Sequence, residues 1–174
     1  MTVLRSRNLL LRPFRPEDEA TVLAYRNDPL VARFQGWPLP FTKTHFGQLL
    51  DPAGRLAGSG WTSWCICSGA GVQGDIGLRV HDGQAELGIT LARSAQGRGQ
   101  AAEALACITD HAFTELRLHR LHAGVDPANS AVIRLFTRAG WRHEGISRQS
   151  YCHRGVWSDE ATYALLAEEW RAGP

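Results

Sequence analysis

Several broad functional classes are excluded by what this 174-residue chain lacks. It has no run near the roughly 18 consecutive apolar residues that a membrane helix requires, so no membrane partner is expected. Its opening, Met1-Thr2-Val3-Leu4-Arg5-Ser6-Arg7, lacks the apolar segment of a secretory leader. Charge of one sign is also missing. A formal net charge of +2, with basic residues scattered along the chain, argues against a nucleic-acid partner. Cysteine is sparse: Cys65, Cys67, Cys107 and Cys152 form no C-x-x-C pair and no disulfide spacing, and are expected to be buried free thiols. A cytoplasmic location follows as the simplest expectation. No H-E-x-x-H occurs, and His119 and His122 are three apart on an expected strand, so no metal is expected. Gly-x-Ser-x-Gly and G-K-[ST] are absent too, which argues against a hydrolase elbow and a Walker-type loop.

What is present fits one domain over residues 1–174, with 44% apolar and 21% charged residues. Arg7–Arg12 suits a first strand, and Pro16-Glu17-Asp18-Glu19 begins a helix running to about Arg26. Short helices are expected over Leu30–Phe34 and Thr42–Leu50, with a glycine-bearing turn from Asp51 to Gly60. From Trp61 the period becomes that of strands: Trp61–Ser68, Val72–Val80 and Ala85–Leu91. Asp82-Gly83 marks a hairpin between the last two. On a strand Cys65 and Cys67 would point to one face. Leu105, Ile108, Ala112 and Leu116 give the longest helical pattern, from Gly99 to Leu116. A strand at His119–Val125, a helix at Ser130–Ala139 closed by Gly140, and strands at Trp141–Cys152 and Val156–Leu166 complete the chain. Helices interrupting a largely antiparallel run indicate an α+β fold.

The segment Leu91-Ala92-Arg93-Ser94-Ala95-Gln96-Gly97-Arg98-Gly99-Gln100-Ala101-Ala102 carries the chemistry. A strand ends, a glycine-rich loop follows and a long helix begins. Glycines let a ligand approach the backbone, while the first N–H groups of a helix and its dipole attract phosphate. Gly97 to Ala102 also fits G-x-G-x-x-A, the dinucleotide fingerprint, but that motif belongs in a first βαβ unit with an acid about 20 residues onward. Here it lies past the midpoint after antiparallel strands, and Asp126 comes too late.

Read as Gln96-x-x-Gly99-x-Ala101, the segment resembles the Q/R-x-x-G-x-G/A pyrophosphate loop of the GNAT (Gcn5-related) N-acetyltransferases. The likeness extends along the chain. Leu9-Leu10-Leu11-Arg12-Pro13 and Pro16-Glu17-Asp18 are similar to the family's N-terminal strand and helix, and Glu86-Leu87-Gly88-Ile89 to its fourth strand. Asn129 through Gly140-Trp141 is similar to its asparagine helix, and Trp157-Ser158-Asp159-Glu160 to Trp170 resembles the RimJ/RimL branch, which acetylates ribosomal-protein N-termini.

The resemblance implies a GNAT fold: a mixed, mostly antiparallel sheet splayed between its fourth and fifth strands and flanked by helices. It implies acetyl-CoA as co-substrate, no metal, and direct transfer to a primary amine, either a protein N-terminus or a small molecule. Ile89, Thr90 and Leu91 would pair with the pantetheine arm, Gln96, Gly97, Arg98, Gly99, Gln100, Ala101 and Ala102 would hold the pyrophosphate, and Asn129 would lie near the arm. Glu86 is the candidate base, Tyr151 a candidate acid, and Trp37 a candidate acceptor contact. The chain departs from the family at Gly124, where some members have glutamate, at Phe136, where many have a catalytic tyrosine, and at Val132, where the RimL branch often has serine. These departures keep open an acyl-CoA-binding or sensing protein with little turnover. A homodimer is also compatible with the resemblance.

Overall fold

A computed structural model describes residues 2–51 and 60–172. Strands β1 (Leu4–Arg5) and β2 (Leu10–Arg12) lead, through a 3-10 turn at Pro16–Asp18, into helices α1 (Glu19–Arg26), α2 (Pro29–Ala32) and α3 (Lys43–Gly47). Strands β3 (Trp61–Ser68), β4 (Gly71–His81) and β5 (Gln84–Leu91) follow, then helix α4 (Gln100–Thr114), strand β6 (Arg120–Val125) and helix α5 (Ser130–Arg138). Strands β7 (Arg142–His153) and β8 (Val156–Leu166) and helix α6 (Ala167–Ala172) close the order. Among the described residues the strands form one sheet in the order β1-β2-β3-β4-β5-β6-β8-β7. Every pairing is antiparallel except β5 with β6. The α+β fold expected from the sequence is the one observed.

Local chemistry accounts for the hairpins. Asp82 and Gly83 both take positive φ, 46° and 74°, and His81 pairs with Gln84 across them, the two-residue turn that Asp-Gly favours. Helix α4 lays Leu105, Ile108, Ala112 and Phe113 on one face of the sheet, against Ile76, Leu78, Leu87 and Leu121. The other face is covered by Val22 and Tyr25 of α1 and Phe46 of α3, over Cys65 and Cys67. The two thiols do share a face, 3.6 Å apart, although the ladder slips between Ile66 and Cys67. The expectation of four buried thiols is corrected: Cys107 is half-buried and Cys152 exposed.

Two further departures have physical causes. The expected first strand, Arg7–Arg12, is paired only from Leu10, because residues 6–9 form a turn, closed by Ser6 N–H donating to the Leu9 carbonyl at 3.0 Å, that joins it to the earlier strand β1. Glu103 of α4 holds that turn, accepting from the Ser6 hydroxyl at 2.7 Å and the Asn8 N–H at 2.6 Å. The terminal helix α6 had no sequence counterpart, and Glu169 fastens its start by accepting the Leu166 N–H at 2.9 Å. The expected turn from Asp51 to Gly60 covers positions 52–59, which lie outside the described residues.

Two buried ion pairs fasten the N-terminal helices to the sheet. Arg12 donates two hydrogen bonds to Asp18, at 2.7 and 2.8 Å, and the Arg15 N–H adds a third at 2.8 Å. Arg26 pairs with Asp75 at 2.9 Å, and the Tyr25 hydroxyl donates to the same carboxylate at 2.5 Å. Burial opposes ionisation of Asp18, but the hydrogen bonds and charges of Arg12 and Arg15 outweigh it and hold the carboxyl below its usual range. Such a group stabilises the fold above its unfolded pKa of about 3.9, and that contribution is lost as pH falls through the lowered folded value. Urea unfolding of Asp18→Asn should therefore show a loss of about 3–5 kcal/mol at pH 7 and a shallower decline than the parent chain below about pH 4.

Candidate active site

The junction of β5 and β6 is where the sheet opens. The two strands pair only at Gln84–Arg120, Ala85–Leu121 and Glu86–His122. Past Glu86, β5 stays with β4 as far as the Gly74–Leu91 pair, and the Ala92 N–H donates to the Gln73 carbonyl at 2.8 Å. β6 stays with β8 as far as Val125–Ala161. The β6-facing edge of Leu87–Leu91 is thus left without a strand partner, and a cleft of about 1080 Å³ occupies the fork. That volume is at the upper end of the range for small-ligand sites.

The cleft brings together most of the residues expected from the sequence. Ile89, Thr90 and Leu91 line one wall, with Gln96, Gly97, Gly99, Ala101 and Ala102 around the start of α4. Gly97 and Gly99 take positive φ, 73° and 78°, and a Cβ at either would meet nothing within 4 Å, so it is the left-handed backbone rather than crowding that favours glycine here. No side chain caps α4, so its first N–H groups face outward as a ready anion cradle. The Gln96 side chain donates to the Leu91 carbonyl at 3.1 Å and ties the loop to the strand end. Asn129 lines the cleft and also accepts the Val132 N–H at 3.3 Å as N-cap of α5. Arg98 and Gln100 are not among the lining residues: Arg98 is exposed and Gln100 half-buried.

Other lining residues were not foreseen. Arg134 and Arg138 present two positive charges one turn apart on α5, a spacing that was readable in the sequence. Leu30, Val31 and Phe34 line the side nearest α2. Val132 is in the cleft, whereas Phe136 is turned into the core, 4.6 Å from Trp141 and 5.9 Å from Tyr163 between ring centres.

The remaining candidates lie away from these lining residues. Glu86 is half-buried and ion-paired with Arg79 of β4. Trp37 is also half-buried: its indole N–H donates to the Arg26 carbonyl at 3.0 Å, and the Arg26 guanidinium sits 4.5 Å from the ring centre. Tyr151, on β7, reaches back over the loop after α2, its hydroxyl 2.6 Å from where a Cβ on Gly36 would be. Arg154 fastens the same hairpin by donating to the Ala32 carbonyl at 3.3 Å. Burial, then the nearby Glu160 and Glu86 charges, push the Tyr151 phenol above its usual pKa.

At Gly124 the fork holds a carboxylate that sequence reading had passed over. A Cβ on Gly124 would lie 2.4 Å from Oε1 of Glu160, so the β8 side chain occupies the space that a side chain at position 124 would enter. Burial, and after it the charge of Glu86, raises the Glu160 carboxyl above the ordinary glutamate range. Period-two alternation on β8 could have indicated its side of the sheet, since Ala161, Tyr163 and Leu165 belong to the core beneath α4 and α5.

Residues 8–142 match the sequence model of the acetyltransferase (GNAT) domain. Over 80 residues the chain is 40% identical to the probable N-acetyltransferase YjcK of Bacillus subtilis (strain 168), a match covering 46% of this chain and 44% of that protein. It is 29% identical to the uncharacterized N-acetyltransferase p20 of Bacillus licheniformis, across 98% of this chain and 99% of that protein. Among solved structures, Mycobacterium smegmatis RimJ in complex with CoA-disulfide superposes with a TM-score of 0.80 at 25% identity, covering 97% of this chain and 87% of that one.

The double placement of Asn129 is separable by mutation. Asn129→Ala should cost about 1 kcal/mol through loss of the α5 cap, or roughly 2–4 °C in thermal midpoint. Asn129→Asp keeps an oxygen acceptor at that cap and should leave the midpoint within about 1 °C of the parent, read by calorimetric melting.

Proposed function

This chain belongs to the GNAT acetyltransferase family, and on that premise we propose that it moves an acetyl group from acetyl-CoA to a primary amine by direct attack. One observation carries the reading: the three-residue β5–β6 pairing leaves the edge of Leu87–Leu91 free, beside a glycine loop and an uncapped helix start. The pantetheine arm carries amide groups, and a free strand edge offers the alternating N–H and C=O groups that such an arm can pair with. Ile89, Thr90 and Leu91 would hold it, and one of their N–H groups would stabilise the oxyanion formed when the thioester carbonyl is attacked. The pyrophosphate would rest against Gly97–Ala102 and the N–H groups of α4, with Arg134 and Arg138 adding positive charge across the cleft. Asn129 would stand beside the arm. That the similar RimJ structure holds a CoA derivative supports this use of the cleft.

The acceptor must be a neutral amine at the moment of attack, because an ammonium has no lone pair. A protein N-terminus, with a pKa of about 7.7–8.0, needs only a modest base; a small primary amine fits the same chemistry. The sequence suggests Glu86 as base and Tyr151 as acid, but the Glu86 carboxylate is engaged with Arg79. The raised Tyr151 pKa keeps that phenol protonated near neutral pH.

Titration calorimetry tests the cofactor. Acetyl-CoA should bind while NADH does not, and Gly99→Ala, which puts a side chain on a left-handed residue at the phosphate loop, should weaken binding about tenfold. Failure of the parent chain to bind acetyl-CoA would sink the donor assignment. Binding without thiol release for any amine would instead indicate an acyl-CoA sensor.

A further inference from the structure

On β6, Gly124 follows His122, the last residue paired with β5, by one same-face step, so it stands where the fork begins. The Glu160 carboxylate fills the notch this glycine leaves. Other carboxylates of the scaffold are engaged: Asp18 with Arg12, Asp75 with Arg26, Glu86 with Arg79, Glu144 with Arg120 and Glu169 with Arg142. The Glu160 side chain has no hydrogen bond or ion pair among the described residues, though the residue is half-buried. Its carboxylate oxygens still reach solvent, so an arriving cation would have no protein partner to displace.

The groups that act on Glu160 favour a cation. Glu86 of β5 repels its negative charge, and the Tyr151 phenol of β7 is neutral when protonated. Arg154, whose charge acts on Tyr151, donates to the Ala32 and Gln35 carbonyls rather than to Glu160. A compact ammonium arriving at the fork would therefore meet one unpaired carboxylate, next to the free edge of β5.

We propose that Glu160 receives the acceptor's ammonium and takes its proton, as the catalytic base of the acetyl transfer; this rests on the function proposed above. One N–H proton of the ammonium passes to the Glu160 carboxylate, leaving a neutral amine. Its lone pair forms the C–N bond at the thioester carbonyl, whose π electrons move onto oxygen. Collapse of that oxyanion breaks the C–S bond and leaves the electron pair on sulfur. The surplus N–H proton ends on the thiolate, giving free CoA thiol and the amide, and Glu160 returns its own proton to water. Glu86, held by Arg79, acts through charge alone, raising the proton affinity of its neighbour.

The test compares the parent chain with Glu160→Gln, reading acetyl-CoA affinity by calorimetry and thiol release with a short peptide bearing a free N-terminus and with an alkyl diamine. Glu160→Gln should lose about 10²–10³-fold in kcat, a loss typical of a removed general base, with acetyl-CoA affinity unchanged within about twofold. Its kcat/KM profile should also lose the acid limb set by Glu160, which in the parent lies above the ordinary glutamate value of about 4.3, and with the peptide should rise only as the free N-terminus deprotonates near about 7.7–8.0. Gly124→Ala, whose new methyl would push the carboxylate aside, should lower kcat about tenfold with the same acetyl-CoA affinity. Gly124→Glu combined with Glu160→Ala returns a carboxylate to the fork from the other strand, and should recover at least about tenfold of the lost rate. Parent-like rates in Glu160→Gln, or an acid limb left at its parent position, would overturn the assignment while leaving acetyl transfer standing. A parent chain that binds acetyl-CoA but acetylates neither amine would overturn the transfer reading, and the role of Glu160 with it.

Discussion

The single parallel junction in the sheet is the constraint on which the rest of this molecule depends. A parallel neighbour cannot be reached by a tight turn, so β5 and β6 are joined through α4, a helix lying across one face. Every other pairing is antiparallel and runs on until one of its strands nears its end. The parallel pair stops after three residues, and from there each strand follows its outer partner. The cleft is the consequence. The crossover that creates the junction also delivers the N-terminus of α4 to the mouth of the opening, so an unpaired strand edge and a set of helix N–H groups meet without either being placed there by a long-range contact of its own.

Charge is divided between keeping the scaffold in place and leaving the fork unsatisfied. Arg12–Asp18 and Arg26–Asp75 are buried and hydrogen-bonded, and each would be strongly destabilising if broken, because an uncompensated charge would remain inside. They join α1 and the turn before it to strands β2 and β4, and so hold up the wall that α2 presents to the cleft. On the other wall, Arg134 and Arg138 are left open on α5, while away from the cleft lining the Glu160 side chain is left unpaired at Gly124. Positive charge lies along the phosphate side and a lone negative charge at the fork, as a polyanionic donor and a cationic acceptor would require.

Much of this was legible one residue at a time. Asp82-Gly83 announced its hairpin because both residues tolerate positive φ, and the strand period from Trp61 announced the sheet faces on which Cys65 and Cys67 lie. The glycine loop was legible because its features are local: two glycines, a strand end and a helix start within a dozen residues. The strand β1 and the helix α6 were not legible, since each is only a few residues long and depends on a distant or capping contact for its form. Within the loop the sequence weighted Arg98 as a phosphate contact, while the folded chain directs Arg134 and Arg138 to the same cleft and leaves Arg98 outside its lining.

The sequence by itself determined the α+β class, the positions of most elements and the glycine loop before α4, because periodicity, turn chemistry and helix ends are properties of neighbouring residues. Only the tertiary structure decided where β5 and β6 part, that Phe136 faces the core, and that Glu160 lies over Gly124. Glycine at 124 reads in sequence as the loss of a carboxylate. In space it is the vacancy into which one is placed from 36 positions further along, and register between strands distant in sequence is set by the packing of the whole sheet.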